Sequence, residues 1–319
     1  MRLAAGLPAD LPAALFVVVH FPPMAPSILP KLLDRCGPLE AVECEDGTLV
    51  RHGRIYVACP DRHLLVEEGR VRLAQGPKEN RHRPAVDTLF RSAAVAYGPR
   101  VTGVILTGAL DDGAVGISAI KRRGGVAVVQ DPDDALFPGM PQSALERTKV
   151  DYCLPLSEIP SLLARVVREE VPAEEEGAYP VPEDMELEHR MASMDETTPE
   201  NVEKLGHPSS YTCPECAGPL WEIQDQEVLR FRCRVGHAYT AESMLAGKSE
   251  ALEGAMWTAL NTLEEGAQMS RRLAADSRAR GHEHAAARFE ERARKTRGQA
   301  DLIRQALSSG TPDATEDVV

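Results

Sequence analysis

The chain has 319 residues, 43% of them apolar, which is room for two domains with buried cores at the usual ~100–200 residues each. Aromatic residues are only 4%, so aliphatic packing must carry those cores, and a formal net charge of −13 without a basic stripe argues against a nucleic-acid partner. No apolar run approaches the roughly 18–20 residues of a membrane span. Pro8, Asp10 and Pro12 break the signal-like start, and the seven cysteines suit a reducing compartment, so a cytoplasmic protein without membrane insertion is expected.

Residues 15–20, Leu-Phe-Val-Val-Val-His, read as a strand buried on both faces that ends at His20 and is closed by Phe21, Pro22 and Pro23. Ser27 precedes a predicted helix over 28–33. Residues 101–106, Val-Thr-Gly-Val-Ile-Leu, read as a second buried strand. The loop Thr-Gly-Ala-Leu-Asp-Asp-Gly at 107–113 and a helix from Ala114 follow it. In open parallel α/β sheets ligands bind beyond the carboxyl ends of the strands, so His20 and Asp112 can converge there as a base and the carboxylate that orients it. Two plainer readings stand beside this one. Asp112 alone suits the N-cap of the helix that follows, and a strand-end histidine is commonly just hydrogen-bonded. Asp111 reads as a turn residue.

From Glu169 to Lys204 there are 13 acidic residues against Arg190 and Lys204, together with Pro172, Pro180, Pro182 and Pro199, so 169–207 reads as an acidic disordered linker. Cys213, Cys216, Cys233 and His237 follow with the spacing Cys-x2-Cys, sixteen residues, Cys-x3-His. That pattern resembles a zinc ribbon over 208–240: thiolates and an imidazole suit a tetrahedral structural Zn²⁺, and so short a segment needs such a staple. A redox pair at Cys213 and Cys216 is the alternative. Cys36, Cys44, Cys59 and Cys153 have no such spacing and read as reduced thiols. Residues 241–309 read as a helical hairpin. Its first stripe is Leu252, Met256, Leu260 and Leu263. Its second, after a break near Gly281, is Phe289, Ala293, Ala300, Ile303 and Leu307. Its charged faces suit self-association or pairing with other helices, packing on the ribbon is the alternative, and Trp257 reads as a core anchor.

The segments 11–23, 55–63, 83–92, 106–114 and the Phe-Pro-Gly-Met-Pro at 137–141 occur in the order seen in one family. Over 1–168 the chain resembles the catalytic domain of the chemotaxis receptor methylesterases, the CheB type of protein-glutamate methylesterase. The resemblance implies a doubly wound, mostly parallel α/β sheet. It also implies hydrolysis of glutamate γ-methyl esters on chemoreceptor or other methylated protein helices by a Ser-His-Asp triad, with no cofactor for catalysis. By match, His20 is the general base, Asp112 orients it, and Ala109 offers a backbone oxyanion donor. The family's serine lies in a Gly-rich turn upstream of the histidine by more than the 19 residues preceding His20 here, and residues 1–6 match the helix after that turn. Ser27, Ser92, Ser118 and Ser143 lie in no strained small-residue turn of the nucleophile type. The expectation is therefore an N-terminally truncated domain whose reading frame starts too late, without the family's phosphate-accepting receiver domain. The alternative is a non-catalytic pseudo-esterase acting as a binding module.

Overall fold

The computed structural model describes residues 1–171, 178–195, 199–223 and 228–309. Two compact units, Met1–Met244 and Leu245–Val319, make up the chain.

In the first unit, strands β1 (Ala14–Val17), β2 (Glu40–Glu43) and β3 (Arg54–Val57) pair in parallel in the order β1-β3-β2. An antiparallel hairpin follows, β4 (His63–Glu67) and β5 (Arg70–Ala74). Strands β6 (Thr102–Ile105), β7 (Val126–Gln130) and β8 (Tyr152–Leu154) form a second parallel set, β6-β7-β8. Among the described residues β1 and β6 are each paired along one edge only. Successive strand residues point to opposite faces. Tyr56, Ala127 and Val129 therefore enter one core, and Ile55, Val57 and Val128 enter the other. Helices α3 (Val86–Tyr97), α4 (Ala114–Arg122) and α5 (Gly139–Arg147) cover the first core. Helices α1 (Arg2–Ala5), α2 (Leu29–Cys36) and α6 (Ile159–Val166) cover the second. This is a doubly wound α/β arrangement, in which each fully buried aliphatic side chain such as Val128 contributes about 1.5–3 kcal/mol.

Both predicted site strands are shorter than their apolar runs. The first ends at Val17 and not at His20, because its partner β3 ends at Val57 and the last bond is Ala58 N–H to the Val17 carbonyl at 2.9 Å. His20 consequently sits in the loop beyond the sheet.

The acidic segment 169–207 was expected to be extended, but part of it is ordered. Helix α7 (Glu183–Ala192) buries Met185, Leu187, Met191 and Ala192, and α8 (Pro199–Leu205) follows. The expected self-repulsion is offset by basic groups elsewhere: Arg122 bonds Asp184, and Arg72 bonds Asp195. Glu188 is buried against Arg91, Arg230 and Arg232. Gly76 admits the α7 backbone, since a Cβ there would stand 2.1 Å from the Ala192 carbonyl oxygen. The expected linker residues 172–177 and 196–198 lie outside the described residues.

The sheet that follows is antiparallel. Strands β9 (Gly206–Thr212), β10 (Pro219–Ile223), β11 (Arg230–Cys233) and β12 (Ala238–Thr240) lie in the order β12-β11-β10-β9, starting two residues before the expected boundary at 208. This sheet docks on the α/β module. Glu79 bridges Ala238, and the Asn80 N–H donates to the Ala238 carbonyl at 2.8 Å.

Helix α9 (Ala241–Ala279), from Leu245 onward, and α10 (Glu283–Ser308), joined through Gly281 at φ 75°, supply the second unit. Its buried seam is Leu260, Ala267 and Ala274 with Ala286, Ala293 and Ala300. The predicted stripe of large residues is only partly used: Leu252 is exposed, and Trp257, expected as a core anchor, is 54% exposed and donates its indole N–H to Glu253. The buried seam is built mostly from small residues at seven-residue spacing, and the indole lies outside it. Among the described residues no helix is long and apolar enough to cross a membrane.

Candidate active site

His20 and Asp112 meet beyond the carboxyl ends of β1 and β6. The His20 Nε2 lies 2.7 Å from Asp112 Oδ2. Among the described residues Asp112 is its hydrogen-bond partner, and no serine is. The imidazole is partly exposed, whereas Asp112 is 2% exposed.

Three more donors converge on the Asp112 carboxylate. Oδ2 accepts the Val86 N–H at 2.7 Å, and Oδ1 accepts the Asp87 N–H and Asn80 Nδ2, both at 3.2 Å. Asp112 thus caps a helix, but it is α3 and not the following α4, whose N-cap is Gly113 at φ 97°. The expected cap on the following helix is therefore not made, and one carboxylate both caps α3 and bonds the imidazole. Burial would raise its pKa, but the hydrogen bonds from His20 and Val86 overcome that and bring it down to about 2. An ionised carboxylate only accepts, so Nε2 carries the proton and Nδ1 of a neutral ring keeps its lone pair.

Two neighbours were not singled out from the sequence. His82 stacks on His20 with ring centroids 3.6 Å apart and planes 3° apart. Burial, and after it the charge of His20, lower the His82 pKa to about 4, so His82 is neutral at pH 7 and holds the His20 ring plane without competing for the proton. Asp87 is buried and bonded to Asn80 Nδ2 at 2.7 Å and to the Gly116 N–H at 2.6 Å. Burial, and then the Asp112 charge, raise its pKa to about 8. The cluster therefore holds one negative charge at neutral pH.

That raised value has a sign. The native state keeps the Asp87 proton up to about 8, whereas the unfolded chain releases it near ~3.9. The native state binds more protons between those values, so this group lowers stability as pH rises through that window. The depressed Asp112 acts oppositely, but its contribution is complete above about pH 4. Urea unfolding at pH 5 and pH 8 is expected to show Asp87→Asn gaining on the wild type as pH rises. A constant difference would contradict the protonated Asp87.

Ala109 is exposed in the loop after β6, and its N–H has no partner among the described residues. The loop is held by Gly108, whose N–H donates to the Phe137 carbonyl and whose own carbonyl accepts the Met140 N–H. Gly139 fits closely beneath it: a Cβ there would stand 2.9 Å from the Leu110 nitrogen. Asp111, read as a turn residue, is fully buried and paired with Arg147 at 2.8 Å. Ser92 is buried, accepting from the Val66 N–H and donating to the Leu89 carbonyl, which removes it as a nucleophile. Ser143 is also buried.

Away from this pair, Cys213, Cys216, Cys233 and His237 offer ligand atoms that all lie within 4.8 Å of one another. The Cys216–Cys233 sulfurs are 3.8 Å apart, and His237 Nδ1 lies 3.7 Å from Cys213 and 3.4 Å from Cys233. Four such groups can share one metal ion.

Residues 1–163 match the family model described as CheB methylesterase. A protein-glutamate methylesterase/protein-glutamine glutaminase from Methanosarcina mazei is 36% identical over 175 residues, 52% of this chain and 48% of that protein. A putative one from Leptospira interrogans is 38% identical over 161 residues, 50% of this chain and 83% of that protein. The crystal structure of the Thermotoga maritima CheB methylesterase catalytic domain matches at a TM-score of 0.50 and 36% identity, covering 52% of this chain and 90% of that one. The chain spans about half the length of the first of these relatives. With an oriented histidine and aspartate at the strand ends, this agreement in sequence and fold places the chain in the CheB methylesterase family.

Proposed function

We propose that the protein is a protein-glutamate methylesterase that hydrolyses glutamate γ-methyl esters on methyl-accepting chemoreceptor helices and releases methanol. The observation that carries this reading is the 2.7 Å bond between His20 and Asp112 at the carboxyl ends of two parallel strands. Asp112 fixes the tautomer, and Nδ1 of His20 takes the nucleophile's proton and gives it to the leaving methanol as the acyl-enzyme forms. It then takes a proton from the water that attacks this ester and returns it to the nucleophile as the glutamate is freed, with the Ala109 N–H as oxyanion donor. The nucleophile of this reading is a serine that presents its hydroxyl to His20 Nδ1. The test uses protein purified from its native host and a methylated receptor. Methanol release supports the esterase, whereas receptor binding without release replaces it with the binding-module alternative.

We further propose that Cys213, Cys216, Cys233 and His237 hold one structural Zn²⁺. Zn–S of about 2.3 Å and Zn–N of about 2.0–2.1 Å in a tetrahedron imply S···S edges of about 3.8 Å and S···N edges of about 3.6 Å. The spacings of 3.8, 3.7 and 3.4 Å support that ion. Four protein ligands close the site, so the metal serves folding and not the hydrolysis. The seven free cysteines agree with a reducing, cytoplasmic setting.

A further inference from the structure

We propose that the ribbon is a metal-dependent clamp on the His20–Asp112 pair, with Asn80 as the positioning residue through which it acts. The inference rests on the zinc and esterase readings above and adds a connection between the two sites.

Asn80 is buried and divides its polar groups between the sites. Its Nδ2 donates to Asp112 and Asp87, while its Oδ1 accepts the Thr240 N–H at 3.2 Å and the Ser243 hydroxyl at 3.1 Å. Its backbone N–H donates to Ala238 at 2.8 Å. Thr240 and Ser243 in turn bond each other's backbone N–H at 3.0 and 3.2 Å, a reciprocal cap that starts α9. The groups that hold Asn80 therefore belong to β12 and the first turn after it.

Strand β12 begins at the residue after His237, a candidate metal ligand. The Tyr239 hydroxyl lies 3.2 Å from the Cys213 sulfur. On the next strand Arg232 precedes Cys233, and its guanidinium bonds the Gly236 carbonyl, Glu188 and Glu79, the neighbour of Asn80. A metal that fixes Cys233 and His237 thus fixes both strands touching Glu79 and Asn80. On the β10 side of the ribbon Trp221 and Ile223 pack with Leu187, Met191, Val202 and Leu205, whereas the cluster that includes β12 comprises Cys213, Leu220, Phe231, Cys233 and Tyr239, two of which are ligands. So small a cluster does not hold β12 in place without its metal, and for such a part binding free energy is folding free energy. Loss of the ion would release β12, free the Asn80 carbonyl, and let its amide leave Asp112.

The experiment follows the proton between His20 Nε2 and Asp112 by NMR in the full chain, assigned by its disappearance in His20→Gln, with zinc measured on the same sample. The expected result is one zinc per chain and a hydrogen-bonded Nε2–H resonance that is lost or shifted on chelation and returns when zinc is restored. Asn80→Ala is expected to retain its zinc yet show the displaced resonance, because the ribbon is then folded but uncoupled. Chain purified without zinc, and unable to take it up, would overturn the metal reading and this inference with it. Zinc that binds and leaves the resonance unchanged on removal would overturn the coupling alone. Should chelation unfold the chain, zinc-loaded Asn80→Ala decides: a wild-type resonance there would also overturn it.

Discussion

Asp112→Asn is expected to lower methanol release from a methylated receptor by about 10⁴-fold, the loss seen when a triad carboxylate becomes an amide and its histidine takes the wrong tautomer. Here the effect has little room for escape, because all four groups around the carboxylate donate to it. An amide nitrogen at the Oδ2 position would face the Val86 N–H and turn the His20 proton away. At the Oδ1 position it would face the Asp87 N–H and Asn80 Nδ2. Either orientation leaves a buried donor unpaired, at about 1–3 kcal/mol. Turnover measured beside urea unfolding separates the two consequences. A variant that retained activity within tenfold of the wild type would remove Asp112 from the mechanism.

Glu188→Ala is expected to destabilise the first unit by about 3–5 kcal/mol, the cost of breaking a buried ion pair by removing one partner. Glu188 pairs with Arg91, Arg230 and Arg232, Glu79 pairs with Arg91 and Arg232, and every one of these side chains is at most 10% exposed. Burial opposes the Glu188 charge, but Arg230, Arg232 and Arg91 together hold its carboxyl far below the ordinary range. Without it Arg91 and Arg232 share Glu79, and Arg230 loses its bond to Glu188. The pair that Asp184, on the same helix as Glu188, makes with Arg122 of α4 is about half exposed, so Asp184→Ala is expected to change stability by less than about 1 kcal/mol. Denaturant unfolding of both variants makes the comparison, and equal losses would mean that the buried cluster contributes no more than a surface pair.

The sequence made His20 and Asp112 legible because each follows an apolar run, and strand ends are where a parallel sheet gathers its chemistry. The four metal-ligand candidates were legible from spacing alone, since Cys-x2-Cys and Cys-x3-His are local. His82 and Asn80 were not, because both lie in an irregular stretch whose hydrogen bonds and ring contacts come from distant segments. Charge counting misread 169–207 for a related reason: a sum of charges does not reveal that Glu188 is matched by arginines from α3 and β11. Leu187 and Met191, four residues apart and so on one side of a helix, were the available signal, whereas Met185 enters a different core cluster. Trp257 was misjudged because size was taken as a sign of burial on a helix whose seam is built from alanine.

That alanine seam separates attraction from alignment. Methyl groups at seven-residue intervals pack equally well if one helix slides by a whole repeat, so they hold α9 and α10 together without choosing a register. The choice falls to the charged residues beside them. Arg278 reaches Glu290 near the turn, and Arg304 reaches Glu264 farther along the hairpin. Each pair contributes little as an exposed contact, yet a slipped hairpin would forfeit both at once. Alignment of this unit is thus an electrostatic property, sensitive to ionic strength in a way that its cohesion is not.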